Sequence, residues 1–251
     1  MKTIRYFLLF ILLASVNILA QTPGKTRVYV RAGVGASLPN SSGQKVLVLE
    51  SSFQYETEVL AKASDGVALL TGNAGVGLTI DVSKHFTIGA ELNVEQRGSR
   101  AAVEKLTSYC TGNCGIIYQP PVSNSATGQI TTRLTYLTLP ILASYHVGAF
   151  SVLAGPYVGL KLSEQQRGSY QPLINNAYTY ITNFSAASDE FNAFDVGFTG
   201  GLGYALTPRF GVDLRYSRSL IRATKESTDY TLLPSVINQT VQVAARYNII
   251  L

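Results

Sequence analysis

Hydrophobic residues recur at every second position in eight segments of the chain, which is the period of a β-strand. In "FGVDLRYS", at residues 210–217, a large apolar side chain stands at most alternate positions, and the charged Asp213 and Arg215 stand between them. The pattern therefore predicts eight strands. They lie near residues 27–37, 70–82, 86–98, 130–146, 149–163, 192–206, 210–217 and 238–251.

The connections between these segments alternate in length. Three are only a few residues long ("SKH", "VG" and "TP"), whereas the others run about 38–69, 99–129, 164–191 and 223–237. An up-and-down meander would gather every short turn at one end of the sheet and every long loop at the other. Loops this long are uncommon in compact soluble domains but usual on one side of outer-membrane barrels. We therefore predict an all-β fold, an eight-stranded antiparallel up-and-down transmembrane β-barrel.

Alternation alone does not decide whether the apolar side chains face the inside or the outside of the barrel. In a soluble barrel such as a lipocalin the apolar set points inward, whereas in a membrane barrel it faces lipid. The apolar sets are longer than the ~9–11 residues that a tilted strand needs to cross a bilayer, and glycine with scattered charges dominates the polar sets. We therefore predict an inward set of charges that must be paired, in an interior that side chains can fill. This lumen charge network comprises Arg31, Asp81, Glu91, Glu95, Lys161, Asp195, Asp213, Arg215 and Arg246.

Aromatic residues flank the predicted strands at the end with the short turns. Three phenylalanines each open a strand after a short turn, and three tyrosines lie near the same end of the strands that run toward it. This placement is typical of a girdle at the level of the lipid headgroups. The predicted girdle comprises Phe86, Phe150, Phe210, Tyr145, Tyr204 and Tyr247. Pro140 and Pro156 fall inside strands, and we expect a β-bulge at each because proline cannot donate to the ladder.

Composition agrees with a membrane protein that crosses with strands. Only 14% of the 251 residues are charged and 46% are hydrophobic. After residue 20 no apolar run reaches the ~18 positions of a helical span. Residues 1–20 read as a signal peptide, with basic Lys2 and Arg5 and a small Ala20 at the cleavage site, rather than as a membrane anchor. Residues 21–251 would then form the outer-membrane β-barrel domain.

Charge and chemistry exclude several functions. Without Lys2 and Arg5, 18 of the 20 basic residues remain against 15 acidic ones, too small an excess to predict nucleic-acid binding. Cys110 and Cys114 in "CTGNC" predict a disulfide in an oxidising compartment; a metal site would need further ligands, and His85 and His146 are far away in sequence. No phosphate loop or dinucleotide motif is present, so we expect no cofactor and no catalytic or metal-binding residues.

Four stretches resemble the PorT-like outer-membrane β-barrel family of Bacteroidetes. They are "YLTLPILASY" (136–145), "VLAGPYVGLKL" (152–162), "FDVGFTGGLGYAL" (194–206) and "FGVDLRYSRSL" (210–220). The resemblance implies an eight-stranded barrel in the bacterial outer membrane, and one branch of the family is linked to protein secretion and surface-protease maturation. The family often has an acidic residue where Thr138 stands and a basic one where Ser144 stands, so one inward ion pair is not expected here.

The sequence thus predicts a non-enzymatic structural or interaction module that contacts outer-membrane lipid and binds proteins through four long extracellular loops. In the first loop, Phe53, Tyr55, Val59 and Leu60 alternate with polar residues, as either a protruding hairpin or a specific binding surface. Three alternatives stay open: a small porin-like pore, a soluble lipocalin-like ligand-binding barrel, and a membrane hydrolase. The hydrolase would need a catalytic histidine, and both histidines lie at the short-turn end.

Overall fold

A computed structural model describes residues 24–40, 45–52, 55–62, 68–109, 122–174, 177–178, 182–186, 191–223 and 237–249. The predicted signal peptide, Phe53 and the predicted disulfide between Cys110 and Cys114 lie outside these residues. The described ranges contain no helix that is long and apolar enough to cross a membrane. The twelve strands are β1 (Thr26–Asn40), β2 (Lys45–Ser52), β3 (Tyr55–Lys62), β4 (Leu69–Asp81), β5 (Phe86–Tyr109), β6 (Val122–Val147), β7 (Phe150–Ile174), β8 (Ala177–Tyr178), β9 (Thr182–Ala186), β10 (Phe194–Ala205), β11 (Phe210–Ser219) and β12 (Ile237–Ile249).

Eight of these strands form a closed antiparallel ring. Around the ring the order is β1, β4, β5, β6, β7, β10, β11 and β12, and β12 pairs with β1 from Val28 opposite Ile249 to Asn40 opposite Ile237. The predicted eight-stranded up-and-down architecture is confirmed. Strands β2 and β3 continue the sheet beside the far end of β5, and β8 and β9 pair with β7.

The three short connections lie together at one end of the ring, as the loop lengths predict. In the first and third, the hydroxyls of Ser83 and Thr207 accept hydrogen bonds from the backbone N–H groups of Phe86 and Phe210, at 3.1 and 2.9 Å. The second turn contains Gly148 with φ +60°, a left-handed conformation that glycine adopts without strain. Short polar residues and one glycine therefore fix the tight end of the ring.

The apolar set of each strand faces outward. On β11, Asp213 and Arg215 are 0% and 3% exposed, whereas Leu214 and Tyr216 are 47% and 42% exposed. The other ring strands repeat this distribution: the outer surface is covered with exposed valine, leucine, phenylalanine and tyrosine side chains, and the interior is mainly polar. A soluble lipocalin-like barrel would have the opposite arrangement, so this alternative is wrong.

The polarity of the outer face changes along β6. Toward the short turns, Leu139, Ile141 and Tyr145 are exposed, whereas toward the long loops the exposed residues are polar, such as Gln129 and Arg133. The inner face changes in the reverse sense, from threonine and proline to buried leucine and isoleucine. The apolar run at 137–145 on β6 matches the ~9–11 residues of a membrane crossing. Strands β5, β6 and β7 therefore leave the membrane about halfway along their length, and their remaining residues continue as a water-exposed sheet.

Bulges form at different places from those predicted. The pairing of β6 with β7 shifts between Thr135 and Tyr136, which leaves Leu162 unpaired at the edge of the apolar band. At Pro140 and Pro156 the registers are unchanged, so the predicted bulges are wrong. Instead, the β5–β6 ladder is interrupted beside Pro140, and the β6–β7 ladder beside Pro156. A proline lacks one donor only, so one ladder loses pairing while the other continues.

The orientation of β11 can be tested with two cysteine variants made after Cys110 and Cys114 are replaced by serine. Leu214→Cys should react with a membrane-soluble maleimide and resist a sulfonated one, because the side chain faces hydrocarbon. Ser217→Cys should resist both reagents, because Ser217 is buried in the filled interior. Mass spectrometry of protein in liposomes measures the labelling. Rapid sulfonated labelling at position 214 would contradict the orientation.

Candidate functional site

The centre of the lumen is organised around the carboxylate of Glu91 on β5. Arg215 on β11 binds both oxygens of this carboxylate, at 2.6 and 2.8 Å. The Tyr29 hydroxyl donates to the same group, and Asn93 donates to it at 3.0 Å. Arg31 lies 3.5 Å away. Because two-point Arg–carboxylate pairs fix orientation as well as charge, this contact joins opposite parts of the ring.

A second cluster surrounds Arg97, which lies three inward positions beyond Glu91 on β5, closer to the long loops. Arg97 binds Asp195 on β10, and it contacts Glu95 and the Tyr157 hydroxyl at 3.1 and 3.0 Å. Its guanidinium also lies over the rings of Tyr136 and Tyr157, at 5.5 and 4.8 Å from the ring centroids. Delocalised charge and planar shape suit arginine to this packing between aromatic rings.

Glu95 extends the hydrogen-bond network across the lumen. Its carboxylate accepts hydrogen bonds from Thr138 on β6 and Gln242 on β12, at 3.1 and 3.3 Å. Apart from Glu164, which pairs with Lys161, four carboxylates and four guanidiniums lie in or beside the two clusters, so their formal charges cancel. These groups are Glu91, Glu95, Asp195 and Asp213 with Arg31, Arg97, Arg215 and Arg246.

Two glycines create the space that the largest inward side chains occupy. A Cβ at Gly77 on β4 would overlap the ring of Tyr29, and one at Gly197 on β10 would lie 2.6 Å from the Tyr157 hydroxyl. Close approach of the backbone is therefore required at both positions. Each of these two inward glycines therefore makes room for a tyrosine side chain.

The structure brings six of the predicted lumen residues into these two clusters: Arg31, Glu91, Glu95, Asp195, Asp213 and Arg215. The other three lie at the margins. Arg246 contacts the Tyr29 ring at 5.5 Å and lies 4.0 Å from Asp213. Asp81 pairs with Arg27 near the short turns, at 2.6 Å. Lys161 pairs with Glu164 at 2.7 Å, near the opposite mouth.

The sequence-based set omits Tyr29, Arg97 and Tyr157. Arg97 has the same strand parity as Glu91, Asn93 and Glu95, so the period of two places it on the inner face. It lies next to the end of the predicted segment 86–98, where the sequence does not show that the inward set continues. Tyr29 and Tyr157 belong to the inward sets by parity, but an aromatic residue among polar ones gives no signal of a hydrogen-bonding role.

Two small cavities lie in the described part of the interior. One is lined by Arg31, Glu95 and Arg97 and has a volume of about 10 Å³. The other lies toward the short turns, is lined by Tyr29, His146 and Arg246, and has a volume of about 30 Å³. Arg215 lines both cavities, so its side chain and the carboxylates it binds lie between them. These volumes accommodate roughly one or two water molecules, not a continuous aqueous channel.

At the short-turn end, the predicted girdle residues lie opposite one another on neighbouring strands. Phe86 is paired with Tyr145, Phe150 with Tyr204, and Phe210 with Tyr247. The Phe150 and Tyr204 rings are 4.7 Å apart. Three cross-strand aromatic pairs therefore lie at one level of the outer surface.

The two histidines lie at the same end and contact backbone or hydroxyl groups. A ring nitrogen of His85 is 3.1 Å from the carbonyl oxygen of His146, and Nε2 of His146 is 3.0 Å from the hydroxyl of Thr87. Within the described ranges, neither ring is hydrogen-bonded to a carboxylate, and no cluster of three His, Cys, Asp or Glu residues could hold a metal ion.

A closed ring with an apolar exterior and an ionic interior defines a transmembrane β-barrel. Residues 20–225 match the model of the outer membrane protein β-barrel domain family, and the chain belongs to that family. The protein is therefore located in the bacterial outer membrane.

The chain is similar to several solved structures. Neisserial surface protein A is 10% identical, with a TM-score of 0.38 and coverage of 88% of this chain and 97% of its own. Ail of Yersinia pestis is 10% identical, with a TM-score of 0.37 and coverage of 91% and 100%. The outer membrane protease OmpT of Escherichia coli is 9% identical, with a TM-score of 0.33 and coverage of 89% and 97%. Among curated proteins, none matches the chain significantly.

The Glu91–Arg215 pair can be tested by substitution. Arg215→Gln should lower the free energy of unfolding by about 3–5 kcal/mol, because it leaves buried carboxylates without their partner. Arg218→Gln, on the exposed face of the same strand, is the matched control and should change it little. Urea unfolding in lipid vesicles measures both.

A double-mutant cycle separates this pair from general damage. Glu91→Gln combined with Arg215→Gln should cost less than the sum of the two single substitutions, because the two side chains are in contact. Additive costs, or equal effects of the Arg215 and Arg218 substitutions, would contradict the role of the pair.

Proposed function

We propose that this protein is a non-enzymatic interaction module of the outer membrane, with a closed lumen and a binding surface outside the bilayer. One observation supports this proposal most directly. Strands β5, β6 and β7 are 24, 26 and 25 residues long, more than twice the ~9–11 residues that a crossing needs. Their outer halves provide a platform for a partner, whereas Arg215 separates the two cavities of the described interior and leaves no continuous route between them.

The platform has a core of its own. Ile130, Leu134 and Tyr170 are buried on its inner face, and Leu134 and Tyr136 pack with Phe191 and Ala223. Phe191 and Asn192 precede β10, and Ala223 follows β11. The N–H of Asn192 donates to the carbonyl of Ala223 at 2.6 Å, and Lys161 donates to the carbonyl of Phe191 at 2.7 Å. This small core lies next to the Arg97 cluster, since the Tyr136 ring contacts both.

Strand addition is the binding mode that the backbone favours. In the described part of the sheet, β2 pairs with β3 only, so one edge of β2 has backbone groups available to an extended peptide. We propose that this edge lies outside the cell, together with the long loops. We also propose that the chain belongs to the PorT-like branch and assists secretion or surface-protein maturation, on the motifs quoted above.

Removing the β2–β3 hairpin tests the binding surface. Protein isolated from detergent-solubilised outer membrane should retain specific partners when its sequence is intact, and should lose them when residues 41–67 are replaced by a short turn. A variant with altered residues 83–85, in a turn at the opposite end, is the control and should retain them. Identical sets of partners from the hairpin variant and the intact protein would contradict the proposal.

Planar-bilayer recordings test the pore alternative. The intact protein should show no stable large conductance steps, because Arg215 and its carboxylate partners separate the two cavities. Steady openings at neutral pH would favour a passive pore instead. Heat-modified migration in gels, compared before and after reconstitution, checks that the recorded protein is folded.

A further inference from the structure

Three arginines lie on the outer face of β5, β6 and β7, just beyond the apolar band. Arg100 on β5 and Arg167 on β7 are both paired with Thr131 on β6, so they flank it on either side. Arg133 is the next outward residue of β6 toward the membrane. We call Arg100, Arg133 and Arg167 the arginine patch.

The arginine patch has no compensating acid among the residues described around it. Its outward neighbours on the three strands are uncharged: Gln96, Gly98, Thr131, Thr135, Ser163 and Gln165. No ion pair of the three arginines is present within the described ranges. With its amide oxygen turned toward Arg167, Gln165 accepts two hydrogen bonds from that guanidinium, at 2.9 and 3.1 Å. Nε of Arg100 is buried without a partner.

The patch begins at the membrane surface. Arg133 is four positions beyond Leu137, the first apolar outward residue of β6. Four residues rise ~13 Å along a strand, or roughly 10 Å in height for a strand tilted by about 40°. The headgroup layer is itself about 5–8 Å thick. An arginine side chain that points toward the bilayer therefore reaches the headgroups while its charged end stays in water.

Three guanidiniums with no acid among their described neighbours match phosphate groups, which accept paired hydrogen bonds from arginine. We propose that the arginine patch binds the phosphate groups of a lipid headgroup on the membrane surface at the long-strand side of the barrel. A lipid is favoured over a soluble anion because the patch is continuous with the lipid-facing band and faces sideways along the bilayer. The cavities of the lumen have no part in this site.

Binding of lipid A, with and without its phosphates, tests the proposal on the folded full-length barrel in detergent. The intact protein should bind the phosphorylated form more tightly. Substitution of all three patch arginines by glutamine should weaken binding about fivefold per arginine, equivalent to about 1 kcal/mol each. The control variant removes the same charge from exposed residues at the short-turn end, by Lys25→Gln, Lys84→Gln and Arg209→Gln. It should bind as the intact protein does.

Native mass spectrometry, with lipid titrated at constant detergent, measures the apparent affinities. Equal affinity for the two forms of lipid A would overturn the proposal, as would equal losses in the patch and control variants. Displacement of the lipid by the same concentration of inorganic phosphate would also overturn it, since the site would then be one for a free anion. The same difference in gel migration between unheated and heated samples as the intact protein shows confirms that both variants are folded.

Discussion

Hydrocarbon offers no hydrogen-bond partner, and this constraint determines the arrangement of the chain. Every backbone group at membrane depth must find its partner in a neighbouring strand, so the sheet has to close. Here the thirteen pairs between β1 and β12 complete the ring. Closure leaves each strand with one face toward lipid and one toward a narrow interior. The alternation of apolar and charged residues is the consequence: side chains that lipid excludes have only the interior to occupy.

An interior of this kind stabilises the fold only if its charges cancel and its hydrogen bonds are shared. Buried carboxylates without partners would be costly. The solution here is to surround the central carboxylate with several donors, as Glu91 receives hydrogen bonds from Arg215, Tyr29 and Asn93. These donors come from different strands, so the same contacts that neutralise charge also hold distant parts of the ring together. Glycines opposite the long side chains make the network sterically possible.

Strand number, pairing order and the tight end of the ring follow from periodicity and loop length, which are local properties of the sequence. The least regular predicted strand, 130–146, is irregular because it crosses the membrane boundary: Leu134 is apolar and faces inward, whereas Ile141 is apolar and faces outward. A prediction that places the apolar residues on one face along the whole strand cannot include that inversion. The prolines show a different limit, since one missing donor can be accommodated by an interrupted ladder as well as by a bulge. Which arginine meets which carboxylate depends on the register between strands distant in sequence, and Arg97 with Asp195 is such a pair.

The two ends of the barrel differ for the same physical reason. At the short-turn end the strands stop where the apolar band stops, and aromatic pairs mark that level. At the other end β5, β6 and β7 continue into water. There leucine and isoleucine face inward, as apolar side chains do in soluble proteins. A segment that continues beyond the bilayer must form its own core to remain ordered, as Leu134 and Tyr136 do here with Phe191 and Ala223. The ionic interior therefore stabilises the fold within the membrane, and the proposed binding surface is the sheet outside it.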